Sequence, residues 1–261
     1  MDLELNGKVA MVLGAGGGLG SAIAHELSTE GCRVAAVDIN EDALAETVSR
    51  IAASASDKCA IRWDMSDTAA AGDIVTQVRD ALGEIDIVVN ITGGPPPTPT
   101  RDQGADSWSR YFDSMVLSVI KLADAALPGM IERGWGRILT STSSGVAAPI
   151  PNLGLSNSLR STLVGWSKSL AAEIARYGVT SNIIVPGRIY TDRIKALDEA
   201  RAAREGSTVG DVVAASTASI PVGRYGQPSE YAKVAAFLVS GPASYVTGSA
   251  VRVDGGFIPS I

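Results

Sequence analysis

Three glycines, Gly14, Gly18 and Gly20, stand in the run Leu13-Gly14-Ala15-Gly16-Gly17-Gly18-Leu19-Gly20, and the carboxylate of Asp38 follows eighteen residues after the last of them. The run lies between an apolar stretch, Val9 to Leu13, and a helical pattern that puts Ile23, Ala24 and Leu27 on one face. A loop of this kind lets backbone N–H groups approach a diphosphate, and the dipole of the following helix attracts the charge. The spacing Gly-x-x-x-Gly-x-Gly differs from the more general dinucleotide fingerprint. Asp38 closes a second apolar run, Val34 to Val37, where a carboxylate accepts hydrogen bonds from ribose hydroxyls and repels a 2′-phosphate. No lysine or arginine lies in the loop or directly after Asp38. These residues predict a bound dinucleotide, NAD in preference to NADP.

Composition narrows the other chemistry available. The single histidine, His25, falls in the first helical pattern, which excludes histidine-based metal sites and Ser-His-Asp triads. Cys32 and Cys59 form no motif and sit beside predicted strands as small core residues, which fits a reducing cytoplasm. A net charge of −6 argues against nucleic acid as a partner. The start, Met1 to Asn6, is acidic rather than a signal peptide, and no run of about 18 apolar residues suggests a membrane span.

Holding a dinucleotide loop requires a sheet behind it, and 261 residues with 46% apolar content allow one large α/β domain over 1–261. Apolar runs alternate with helical patterns throughout, the mark of βαβ units and a parallel sheet. After Asp38 the pattern predicts a helix over Glu41 to Ala53, a strand over Cys59 to Trp63 ending at Asp64, and a helix over Thr68 to Leu82. A fourth strand, Ile85 to Val89, runs into Asn90-Ile91-Thr92-Gly93-Gly94 and then a stiff loop, Pro95 to Pro99. Asp106 to Glu132 reads as a long helix interrupted near Pro128. Arg137 to Thr140 is a fifth strand opening into Ser141 to Ser144, and Leu155 to Tyr177 a long helix closed by Gly178. Val179 to Val185 is a sixth strand cut by Pro186-Gly187, Pro228 to Ser240 a helix, and Ala250 to Val253 a last strand. The charge-balanced, alanine-rich stretch 188–219 reads as a helical lid over the strand ends or as a solvated helical pair.

With these elements in order the chain resembles the short-chain dehydrogenase/reductase family over nearly its whole length, and within it the members similar to 3-oxoacyl-acyl-carrier-protein reductases. The pieces that carry the resemblance are the Gly14/Gly18/Gly20 loop, Asp38, Asp64-Met65, Asn90 to Gly93, Ser143, Pro186 to Thr191, Tyr245 to Gly248 and Val253 to Gly256. The resemblance implies a single Rossmann-type α/β/α domain with a mostly parallel seven-stranded sheet, and a homotetramer. It also implies that Leu19 of the glycine loop, Ile39 after Asp38, Pro186 and Gly187 adjoin the cofactor. Asp64 and Met65 would contact adenine, Asn90 and Gly93 line the cofactor, and Ile189 and Thr191 hold the nicotinamide amide.

The same resemblance exposes a departure. The family's chemistry uses an Asn, a Ser, a Tyr and, four residues later, a Lys. Ser143 stands where the serine belongs, but Ser156 occupies the tyrosine position, Arg160 the lysine position and Met115 the asparagine position, and Ile91 replaces the second asparagine of the Asn-Asn-Ala-Gly loop. An aliphatic hydroxyl is a far weaker acid than a phenol and its side chain is shorter. Arg160 keeps a positive charge that can bind ribose hydroxyls or a substrate carboxylate, yet it stays protonated and cannot relay a proton. Tyr190, Tyr225, an ordered water or the substrate itself are the candidates to supply the proton. The sequence therefore supports an NAD-dependent oxidoreductase of a small-molecule ketone/alcohol pair with an altered proton path. Beside it stand a cofactor-binding subunit without turnover and a lyase-type enzyme on the same scaffold.

Overall fold

The structure is a computed structural model, and it describes residues 1–51 and 58–261. Seven strands form one sheet: β1 (Val9–Leu13), β2 (Arg33–Asp38), β3 (Lys58–Arg62), β4 (Ile87–Asn90), β5 (Gly136–Ser141), β6 (Val179–Pro186) and β7 (Ala250–Val253). Their order is β3-β2-β1-β4-β5-β6-β7, and every pairing is parallel. The interior strands β1 and β4 are buried along their whole length, as a sheet covered on both faces requires.

Helices α1 (Gly18–Thr29), α2 (Glu41–Arg50) and α9 (Pro228–Leu238) cover one face, with Ile23, Leu27, Leu44 and Tyr231 packed on Val12, Val34 and Ile184. Helices α3 (Ala71–Leu82), α5 (Ser118–Glu132) and α6 (Gly154–Ile174) cover the other, through Val78, Leu122, Met130 and Ile174 on Met11, Val88 and Ile138. The strand order reverses between β1 and β4. In sheets of this kind the crevice outside the carboxyl ends at that point is where ligands bind.

Several expected boundaries moved. The predicted helix over Glu41 to Ala53 is seen to Arg50, and its last two residues lie outside the described residues. The long helix expected over Asp106 to Glu132 is indeed broken, but not at Pro128, which α5 carries through. The break is a π-turn, Asp113–Leu117, that joins α5 to α4 (Ala105–Phe112). Such turns widen a helix by one residue and recur at functional sites. Met115, at the position of the family's asparagine, lies in this turn with its side chain buried among Val116, Val119, Leu159 and Leu163. The whole stretch Ala105–Glu132 is long and apolar enough, by length and composition, to cross a bilayer. Here its buried side packs on α3 and α6, as the core helix of a sheet protein does.

The stretch 188–219 forms two helices, α7 (Asp192–Glu205) and α8 (Val209–Ala218). Both free cysteines keep their thiols within the fold, Cys32 buried and Cys59 half-buried. Among the described residues no group of three His, Cys, Asp or Glu side chains is placed to hold a metal.

Candidate active site

The crevice begins at the glycine loop. Gly14 has φ +67°, and a Cβ there would stand 2.3 Å from the Ile91 carbonyl oxygen of the β4 loop, so only glycine fits. A Cβ on Gly18 would meet the Thr191 side chain at 2.9 Å, which brings the start of α1 against the loop after β6. Gly17 precedes α1 with no side-chain cap, so the first N–H groups of the helix stay directed at the loop. Gly14→Ala is expected to lower stability by about 2 kcal/mol, from left-handed strain and the forced shift of the β4 loop. NADH affinity should fall more than ten-fold with it. Chemical denaturation and fluorescence titration measure the two effects.

Asp38 ties the loop to β2. Its Oδ2 accepts the Gly16 N–H (3.0 Å) and its Oδ1 the Asn40 N–H (3.0 Å). Asn40 in turn caps α2 by accepting the Ala43 N–H. Ile39 beside it is half exposed. A cation absent from the local sequence reading stands nearby. Arg62 on β3 is the register partner of Asp38, and its Nε lies 3.4 Å from Glu41 Oε1. Asp64 accepts both the backbone and hydroxyl hydrogens of Ser66, and these bonds hold its carboxyl below the usual range. Met65 follows it, partly buried against the α3 side of the core.

The buried hydroxyls of Thr98, Thr180 and Ser216 have no partner, and neither do three polar atoms nearer the crevice: Asn90 Oδ1, Thr92 Oγ1 and Thr142 Oγ1. These three come from the carboxyl ends of β4 and β5. Unsatisfied buried acceptors are costly and point to a ligand that completes them. With the glycine cradle, they make the residues present fit a nicotinamide dinucleotide. The loop after β6 closes the opposite wall: Pro186 and Gly187 end the strand, and the Ile189–Gly226 bridge fixes the turn into α7. Thr191 caps α7 by accepting the Ile194 N–H.

Ser143 ends the β5 loop in extended backbone, and its Oγ accepts the Gly145 N–H at 3.1 Å. That bond leaves the hydroxyl hydrogen free to point elsewhere. Ser156, on the first turns of α6, is 7% exposed. Arg160 lies one turn further along α6. Its Nη2 donates to the Thr92 and Gly93 carbonyls (3.2 and 2.9 Å), and its Nη1 to the Ser141 carbonyl (3.4 Å). Burial, with repulsion from Arg193 and a smaller opposing influence of Tyr231, pushes the Arg160 pKa down to about 10, so the group is charged at neutral pH.

The tyrosines expected as stand-in proton donors divide. Tyr225 is committed elsewhere: its hydroxyl donates to the buried Asp198 (2.8 Å), which also pairs with Arg188 at 2.6 Å. That cluster anchors α7 to the loop before α9 and removes Tyr225 from the proton path. Burial raises its pKa as well, further from any proton-transfer task at neutral pH. Tyr190 stays half exposed, with Lys195 Nζ 5.0 Å from its ring centre. Two features escaped the sequence reading: the register partnership of Asp38 with Arg62, and Arg193, whose Nη2 donates to the Pro95 carbonyl at 2.9 Å.

A family model described as Enoyl-(Acyl carrier protein) reductase matches residues 14–258. The chain is 32% identical over 256 residues to the 3-oxoacyl-[acyl-carrier-protein] reductase of Salmonella typhimurium, covering 97% of this chain and 98% of that protein. Among solved structures, L-sorbose reductase from Gluconobacter frateurii, complexed with NADPH and L-sorbose, is 28% identical, with TM-score 0.94 and both chains fully covered. NAD+-bound xylitol dehydrogenase is 26% identical, with TM-score 0.90 over 97% of this chain and 100% of that one.

Proposed function

The chain belongs to the short-chain dehydrogenase/reductase family, and from that premise we propose that it is an NAD(H)-dependent oxidoreductase that interconverts a ketone and a secondary alcohol without the family's tyrosine–lysine pair. The observation that supports the reading is the set of partnerless polar atoms Asn90 Oδ1, Thr92 Oγ1 and Thr142 Oγ1, which stand at the carboxyl ends of β4 and β5, the same end of the sheet as the glycine loop. The bound cofactor supplies the hydride. Gly14, Gly18, Leu19 and Gly20 hold its diphosphate, Asp38 with Ile39 its adenosine ribose, and Asp64 with Met65 flank the adenine. Asn90, Gly93, Pro186, Gly187, Ile189 and Thr191 line the nicotinamide half.

Ser143 presents its free hydroxyl hydrogen to the carbonyl oxygen, and Ser156 offers a second donor from α6. Arg160 contributes a positive potential rather than a transferable proton, and the proton that completes the alcohol is drawn from solvent water. Stabilising a developing oxyanion with one such donor is worth on the order of 10² in rate. Helices α7 and α8 form the lid over a small-molecule substrate, and the two free thiols suit a reducing cytoplasm. Following NADH absorbance with a panel of ketones tests this reading. We expect consumption that drops about 10²-fold in Ser143→Ala; a wild-type protein inert on the whole panel contradicts it.

A second reading, a cofactor-binding subunit without turnover, is favoured by one observation. Arg160 gives three of its five N–H donors to backbone carbonyls, and Ser156 cannot replace a phenol. The lyase-type reading has no comparable support, because the glycine cradle is intact.

The assembly proposal is a homotetramer. Of the apolar side chains on the helices that follow β4 and β5, Met115, Val116, Val119, Leu163 and Leu170 are covered within the chain. Ile120 and Trp166 stay half-buried at the rim of their cluster, joined by Trp108 and Tyr111, with Phe112 exposed beside them. Val164 is half-buried against the cluster near β6. This apolar rim of α4, α5 and α6 predicts dihedral packing against a second copy. Light scattering at micromolar concentration should give four times the 26.8 kDa chain mass; a monomer contradicts it.

A further inference from the structure

We propose that Arg160 and Arg193 together form a receptor for an oxyanion on the substrate, so that the carbonyl compound this protein takes is an acid, a carboxylate in the first instance. The proposal deepens the oxidoreductase reading above and rests on it for the carbonyl. It begins at Gly94. A Cβ placed on that glycine would stand 3.5 Å from Arg160 Nη2 and 3.5 Å from Arg193 Nη2, so two guanidinium groups from different helices converge over one residue. Both are anchored on the same short stretch, Arg160 on the Thr92 and Gly93 carbonyls and Arg193 on the Pro95 carbonyl. That stretch is itself held: the Thr98 N–H donates to the Asn152 carbonyl, and the Gly154 N–H donates to the Thr98 carbonyl.

Two like charges drawn together call for an anion between them. Among the described residues no carboxylate pairs with either. Three of the four acids on α7 are engaged elsewhere: Asp192 with Lys195 at 2.8 Å, Asp198 with Arg188, and Glu205 with Arg201. Arg193 uses one terminal nitrogen on Pro95 and keeps Nε and Nη1 uncommitted, the fork that binds a carboxylate by two hydrogen bonds. Burial first, and then the nearby Arg193 charge, push the Arg160 pKa down. Arg193 is exposed and Arg160 half-buried, so a ligand entering beneath α7 reaches both. The helix that closes over the substrate therefore carries one half of the receptor, and the helix bearing Ser156 carries the other.

The same pair of cations could serve the cofactor's diphosphate, and the test separates the two sources. Calorimetry on the protein saturated with NAD+, which cannot reduce a ketone, measures binding of pyruvate, acetoacetate and levulinate, each beside its methyl ester. The three acids step the carboxylate outward from the carbonyl. We expect at least one acid to bind ten-fold or more tightly than its ester. In Arg193→Gln that preference should disappear, while NAD+ affinity stays within two-fold. Arg193→Lys, which keeps the charge but not the fork, should retain only part of it. Esters that bind as well as their acids in the wild type, or no acid binding at all, would overturn the receptor. So would a loss of NAD+ affinity in Arg193→Gln equal to the loss of acid affinity, which would assign the pair to the diphosphate. Acid binding without NADH-linked turnover would leave the receptor standing and count against the oxidoreductase reading alone.

Discussion

Rebuilding the family's tyrosine–lysine pair in this protein, by Ser156→Tyr with Arg160→Lys, is expected to lower turnover at least ten-fold on acidic ketones rather than to raise it. A vestigial site would do the reverse and recover the ~10²–10⁴ that a general acid contributes. The expectation of a loss comes from how Arg160 is held. Its two terminal nitrogens bridge the carbonyls after β4 to that of Ser141 at the end of β5. A lysine ammonium is one point with three donors and cannot span both strand ends, so carbonyls are left unpaired at about 1–3 kcal/mol each. Ser156 is 7% exposed, so a phenol there must displace its neighbours. The single variants, assayed on matched acids and esters, show which substitution causes the loss. Gain on every substrate would mean that the pocket still expects a tyrosine.

Cofactor choice carries the second large effect. NADH is expected to bind at least ten-fold more tightly than NADPH, and Asp38→Ser to erase that preference. In the wild type a 2′-phosphate would meet the Asp38 carboxylate, whose oxygens already serve Gly16 and Asn40, at a cost above the ~1.4 kcal/mol of one decade. Arg62, opposite Asp38 in register, favours the phosphate, and its Nε stands 3.4 Å from Glu41 Oε1. The variant removes the repelling charge and leaves Arg62 nearby, so NADPH should gain more than NADH loses. Fluorescence titration with both reduced cofactors decides it; equal wild-type affinities contradict the assignment.

The parts of this site that could be read in the sequence are those in which neighbours along the chain are also neighbours in space. The glycine loop and Asp38 are of that kind, since a strand, a turn and a helix start are fixed by a few consecutive residues, and so is the βαβ alternation that gives the sheet. What escaped depends on residues far apart. Arg193 stands two places after Thr191, yet its significance comes from Gly94 and Arg160, on the far side of the crevice. Arg62 meets Asp38 only through the β2–β3 register. Tyr225 looked available until Asp198, 27 residues earlier, claimed its hydroxyl. The helix break fell at 113–117 rather than at Pro128 because tertiary packing of Met115 and Val116 outweighed local propensity. The same packing covered most of the apolar side chains that a helical pattern alone would assign to a partner.

The most direct test of the central claim, hydride transfer in this crevice without the family's tyrosine, uses NADH deuterated at both nicotinamide C4 positions and the ketone panel together with the three oxo acids. The account predicts a secondary alcohol carrying one deuterium on its carbinol carbon, formed by the wild type and about 10²-fold more slowly by Ser143→Ala. No alcohol from any of these substrates, or alcohol formed without the label, would contradict it.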